Sequence, residues 1–290
     1  MNNKPAVTTL CTVIVLLAIV AAATGVFSSE GSGQYIIETV RGDSVTVYGK
    51  GIYKHMSADV APQGIAQDYV TLFVGVPLLI VGLIWARKNL LKGRFMLAGV
   101  LAYFLVTYLF YLAMGMYNVL FLVYVLLLGA SFFALSLTLF SFNIPKLSHS
   151  FGAFVPRKLI GGFLIFSSVM IAFLWLGVVI PPLLEGSIIP EEVEHYTTLI
   201  VQGLDLALLL PLAFLAGWLF IQEKPLGYLL APVYVIFLSI LMAALTAKII
   251  AMGILGQNIM PAIIIIPLFT LAAISCSVLI IRNIKEPSHT

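Results

Sequence analysis

Residues 197–221 read TTLIVQGLDLALLLPLAFLAGWLFI, a run that carries one charge, Asp205. As a helix rising about 1.5 Å per residue, a run of this length exceeds the roughly 30 Å hydrocarbon core of a bilayer. It is apolar on nearly every face, so it has no polar side to turn to water and reads as a membrane span. Seven further runs share this character, at 10–27, 69–86, 95–115, 117–141, 158–183, 226–250 and 260–282. Of the 290 residues, 61% are hydrophobic and 9% are charged, against about 45–50% and about 25% in soluble domains. The chain therefore reads as an all-α polytopic membrane protein of about eight transmembrane helices, with the lipid bilayer as its solvent. A net charge of +3, from Lys and Arg in short scattered clusters, offers no nucleic-acid surface.

The runs divide the chain. Residues 1–28 hold the first span, 29–67 an outer loop, 68–141 the second to fourth spans, 142–157 an inner loop and 158–290 the remaining four. The first run contains Ala21-Ala22-Ala23, a small-residue feature that signal peptides share. Orientation follows from the basic residues. Eleven of the fifteen (Lys4, Arg87, Lys88, Lys92, Arg94, Lys146, Arg157, Lys158, Lys224, Arg282 and Lys285) fall on one side, and nine of the twelve acids on the other. This predicts a plasma (inner) membrane protein with both termini cytoplasmic. Cys11 and Cys276 lie in apolar runs on the cytoplasmic half, where disulfides rarely persist, and read as small core residues.

The longest polar stretch has structure of its own. Tyr35-Ile-Ile-Glu-Thr-Val40 and Ser44-Val-Thr-Val-Tyr48 are β-branched and aromatic, and they flank Arg41-Gly42-Asp43, a turn signal. A small extracytoplasmic β-hairpin is expected. The Arg-Gly-Asp triplet also spells an adhesion motif, but turn chemistry already accounts for Gly and Asp at a hairpin tip. Gly49 and Gly51 then let the chain bend back toward the membrane.

Two pairs of spans share their punctuation. Pro77-Leu78 recurs as Pro211-Leu212, and in each case the glycine of the next turn, Gly93 or Gly227, lies sixteen residues on. Gln67-Asp68 has a looser echo in Gln202-x-x-Asp205. Both copies run inward, which predicts a parallel 4+4 repeat about an axis along the membrane normal. The first run is then the counterpart of the fifth, which favours reading it as a span.

Asp205 is the residue most in need of a reason. An aspartate at a helix centre costs around 2.5–3.5 kcal/mol on insertion scales, so it turns to the bundle interior, either as packing glue or as a site. Lys248, near the outer end of the seventh run, either snorkels outward, which position alone favours, or bends in to Asp205. Asp68, Gln67, Gln202 and Asn118 lie at the same outer level and complete the candidate ligand-binding set. Tyr108, Tyr111 and Tyr117 are available to add hydroxyls.

Other chemistries find less support. His55 and Asp59 are four apart and Glu194-His195 is expected at the same outer face, but no histidine lies in a span and no His-Glu-x-x-His helix occurs. No metal or other cofactor is expected. The serines of the fourth and fifth runs lie in no Gly-x-Ser-x-Gly turn, and no phosphate-binding glycine loop occurs.

The pattern Tyr48-Gly49-x-Gly51-x-Tyr53, Ala66-Gln67-Asp68, Pro77-Leu78, Gln202-x-x-Asp205 and Pro211-Leu212 resembles an uncharacterised family of bacterial multi-span membrane proteins. The resemblance covers most of the chain and implies no activity. The leading expectation from the residues themselves is a transporter or solute-binding membrane protein with an outward-facing site near Asp205, more readily than an enzyme. The alternatives are a lipid-acting enzyme or accessory protein in which Asp68, Asp205 and His195 meet, and a receptor or assembly subunit using the outer hairpin.

Overall fold

The computed structural model describes residues 3–152 and 154–286. Eight of its helices are long and apolar enough to span a membrane: α1 Lys4–Phe27, α2 Ala61–Arg87, α3 Leu91–Ala113, α4 Phe121–Leu139, α5 Arg157–Glu185, α6 Ile200–Ile221, α7 Gly227–Ile254 and α8 Ala262–Asn283. Between α1 and α2 stand two antiparallel strands, β1 Tyr35–Glu38 and β2 Ser44–Val47, paired from Tyr35 with Val47 to Glu38 with Ser44.

The bounds differ from the apolar runs in an instructive way. Helix α2 begins at Ala61, eight residues before its apolar run, so Gln63, Gln67 and Asp68 lie inside the helix instead of leading into it. Hydropathy marks the hydrocarbon layer, whereas a helix continues wherever its backbone is satisfied and something covers its polar residues. Helices α1, α3 and α7 likewise outrun their apolar stretches at one end. Helix α4 is shorter than its run, and residues 117–120 form a turn before it.

Helices α3 and α7 form the buried centre. They cross at Gly99, where a β-carbon would come within 2.5 Å of the Ile236 side chain and 3.0 Å of the Val233 carbonyl. Helix α1 packs on α4 and α2 through Val7, Cys11, Ile14, Ala18 and Ala21. On the other side α5 lies against α6, with Gly161 and Gly217 facing each other so closely that neither has room for a side chain. Helix α8 is tied to α7 by Ser239 with Ser277 at 2.7 Å and Thr246 with Thr270 at 2.8 Å. Large apolar side chains such as Phe132, Phe173, Leu215 and Leu271 point outward, as a lipid solvent permits.

Helices α2 and α6 depart from regular geometry at matching places. Each widens into a π turn, Thr71–Gly75 in α2 and Asp205–Leu209 in α6. Val76 N–H bonds back to Thr71 O and Leu210 N–H to Asp205 O, one residue farther than in an α-helix. Pro77 and Pro211 follow at once. A proline ring clashes with the carbonyl four residues back, and the wider turn relieves that clash. The helices also end alike, at Asn89 and Glu223, both with positive φ, before the tightly packed Gly93 and Gly227.

One end of the bundle gathers the basic residues. Lys4 Nζ donates to Arg87 O, Glu286 caps the start of α3 by accepting from Leu91 N–H and Lys92 N–H, and Arg157 pairs with Glu223 at 2.8 Å. The first and last described residues therefore lie at the same end. At the other end the hairpin tip is closed by Thr39, whose hydroxyl accepts from Arg41 N–H and Asp43 N–H. The Arg41 guanidinium is engaged by Glu194 O, so this triplet is docked on the 186–199 loop and is not free.

Candidate functional site

The half of the bundle nearer the hairpin holds the carboxyls of Asp68 and Asp205, both on spanning helices. Asp68, only 2% exposed, is positioned by three elements. The glycine elbow at Gly49 and Gly51, both in the left-handed region, passes so close to Gly33 and Ser28 that side chains there would overlap the backbone. That bend turns Tyr53 down onto α2. Its hydroxyl donates to Asp68 Oδ2 at 2.5 Å. The Tyr111 hydroxyl of α3 lies 2.8 Å from Oδ1 and 3.1 Å from the Tyr53 hydroxyl. Gly25 of α1 and Gly64 of α2 make the space: a β-carbon at Gly25 would overlap the Asp68 carboxyl, and one at Gly64 would meet the Tyr53 ring. Burial holds the Tyr53 phenol well above its usual pKa, so it serves as a neutral donor.

Beside this ring lies a second buried network. Gln67 Nε2 donates to Tyr103 at 2.8 Å and to Thr107 at 3.3 Å, and Thr71, the first residue of the π turn, meets Tyr103 at 2.8 Å. The second carboxyl, Asp205, opens the π turn of α6 and accepts from the Trp175 indole of α5 at 2.8 Å on Oδ2. Tyr234 of α7 donates to Leu209 O at the end of the same turn. Lys248, also on α7, is half-buried and pairs with neither Asp205 nor Asp68, for among the described residues the one ion pair is Arg157 with Glu223.

Of the six residues singled out in the sequence, Asp68 and Gln67 are buried side by side on α2, Asp205 opens the π turn of α6, and Lys248 lies on α7. Gln202 lies one turn above Asp205 on the same helix, half-buried. Asn118 does not join them. It forms a local turn, accepting from Leu120 N–H and donating to Met116 O. Tyr117, at 77% exposure, faces outward, and Tyr108 is fully buried with its hydroxyl unpartnered.

The expected meeting of Asp68, Asp205 and His195 does not occur. His195 bonds to His55 O between the loops at the hairpin end, while each aspartate is engaged by its own aromatic donors. The elbow at 49–53 brings Tyr53, and not His195, onto Asp68. Among the described residues no three His, Cys, Asp or Glu side chains gather as metal ligands do.

Tyr53, Thr71, Tyr103, Thr107 and Trp175 were not evident as site residues in the sequence. Trp175 did carry a signal: an indole deep in an apolar run, away from the interfacial belts, needs a buried acceptor. Tyr53 carried a weaker one, a tyrosine placed just after two glycines.

Comparison with family models, with curated proteins and with solved structures finds no match for this chain.

Proposed function

We propose that this chain is a transporter or solute-binding membrane protein made of two parallel four-helix halves, with its solute site in the outer half between Asp68, Asp205 and Lys248. The placing of the carboxyls carries this reading: Asp68 lies one turn before the π turn of α2, Asp205 opens that of α6, and α7, which carries Lys248, packs on both helices. Ionisable groups inside a membrane are costly and mark ion or solute pathways. π turns are frequent at functional sites, and here each precedes a proline.

The repeat is supported by a constant offset of 134 positions. It relates Thr71 to Asp205, Pro77 to Pro211, Asn89 to Glu223, Gly93 to Gly227, and Gly99 to Val233 at the central helix crossing. The basic end faces the cytoplasm by the positive-inside rule, which puts the hairpin and the site toward the outside of the plasma membrane.

The test is solute-evoked current from the full chain in proteoliposomes on a supported electrode, with sodium, methylammonium, zwitterionic amino acids and anionic carboxylates as probes. Wild type should respond to at least one, and Asp205→Asn should lose that response by about ten-fold or more, the equivalent of about 1.4 kcal/mol. Silence toward every probe, or an equal response from the variant, would overturn the reading.

A second reading, docking of a partner on the outer surface, draws on the hairpin. Ile36 and Val40 are 72% and 101% exposed, beside an open groove of about 1000 Å³ lined by Asp43, Asp59, Glu191 and Glu192. Deletion of residues 35–47 should then strip co-purifying protein from the chain; unchanged co-purification counts against it.

A further inference from the structure

We infer that Asp68 holds a dissociable proton, shared in a closed ring with the Tyr53 and Tyr111 hydroxyls. The proton site gives the proposed transporter a titratable group in its wall, and it stands independently of that reading.

The proton follows from a count. Asp68, Tyr53 and Tyr111 close a ring of three oxygen contacts, at 2.5 Å, 2.8 Å and 3.1 Å. Three contacts need three protons, and each phenol brings one. An ionised Asp68 would take both, leaving the Tyr53 and Tyr111 oxygens facing each other at 3.1 Å with no proton between them. With a proton on Asp68 Oδ1 the ring closes: the carboxyl donates to Tyr111, Tyr111 to Tyr53, and Tyr53 to Oδ2. Each group then gives once and receives once. Gly64 O, 3.3 Å from the Tyr111 hydroxyl, only adds to the demand for protons.

The surroundings agree with a neutral group. Asp68 meets Gly25 from α1, which brings no charge, and faces Tyr53 from the loop, Tyr103, Tyr108 and Tyr111 from α3, Tyr124 from α4 and Lys248 from α7. Lys248 is the one cation in that set, and it is more than 4 Å away. A buried carboxylate without a paired cation is expensive in an apolar setting.

Infrared spectra of the full chain decide the matter. At neutral pH they should show the C=O stretch of a protonated carboxyl that shifts on ¹³C-aspartate labelling, fades as pH is raised, survives in Asp205→Asn and is lost in Asp68→Asn. Labelling reads the wild type alone, so the result does not depend on a variant that folds poorly. No labelled protonated-carboxyl band in wild type, or a band unchanged in Asp68→Asn, overturns the inference. The band without any solute current would sink the transporter reading alone, and solute current without the band would sink this inference alone.

Discussion

Gly25 of α1 faces the Asp68 carboxyl of α2 so closely that a single β-carbon on Gly25 would occupy the place of Oδ2. The first span is thereby part of the site's wall and is built into the bundle through a buried face running from Val7 to Gly25.

Gly25→Ala should therefore push Asp68 off its phenol partners. Overpacking and the lost hydrogen bonds together predict a loss of about 2–3 kcal/mol. Thermal unfolding in detergent checks this, with Gly162→Ala as control, because a β-carbon at Gly162 meets nothing. Equal melting temperatures for Gly25→Ala and wild type would contradict the geometry.

Tyr53→Phe and Tyr111→Phe each remove one member of the ring around Asp68. Each should cost about 1–2 kcal/mol, and the pair should be non-additive by more than about 0.5 kcal/mol, as residues sharing one network are. A double-mutant cycle on unfolding free energy reads the coupling. Strict additivity would mean that the two hydroxyls act separately.

Trp175→Phe leaves Asp205 without its indole donor. The expected loss is about 1–3 kcal/mol, the cost of stranding a buried polar group. Tryptophan emission offers an independent reading: Asp205→Asn should shift the Trp175 contribution, isolated in a background lacking Trp85 and Trp218. An unshifted spectrum would place the indole away from Asp205.

Glu194, in the 186–199 loop and clear of the membrane-spanning helices, has its carboxyl pKa raised, first by burial and then by the Asp59 charge, against opposing effects of Ser57 and His195. A raised value in the folded state means that the folded chain holds this proton more tightly. Its contribution is complete below the ordinary glutamate range and is lost as pH rises through the elevated value. Unfolding midpoints measured across that window should fall more steeply with pH for wild type than for Glu194→Gln. Parallel curves would remove Glu194 from the account.

Gly161 and Gly217 let α5 and α6 touch backbone to backbone, each β-carbon position falling about 2.5–2.6 Å from the other's carbonyl oxygen. Gly217→Val should separate the helices and lower the melting temperature by several degrees, roughly the effect of 1–3 kcal/mol of overpacking. A neutral outcome would show that the pair is looser than described.

The sequence by itself determined the eight spans, because a bilayer demands about 20 apolar residues per crossing and residues such as 197–221 and 226–250 have no other use in water. It also determined the hairpin, through β-branched runs on either side of Arg41-Gly42-Asp43, and the matching prolines at 77 and 211, which are local features that need no partner. It pointed to Asp205 and Asp68 because a charge in hydrocarbon is conspicuous wherever it occurs. Only the tertiary structure decided what those charges meet. Tyr53 reaches Asp68 across a loop bent at Gly49 and Gly51, and Trp175 reaches Asp205 from another helix. Partners such as these are set by helix rotation and by the small residues that let backbones approach, and one-dimensional periodicity carries neither. The same limit hid the π turns, which follow from each proline's clash with the preceding turn and are visible only when the hydrogen bonds are traced.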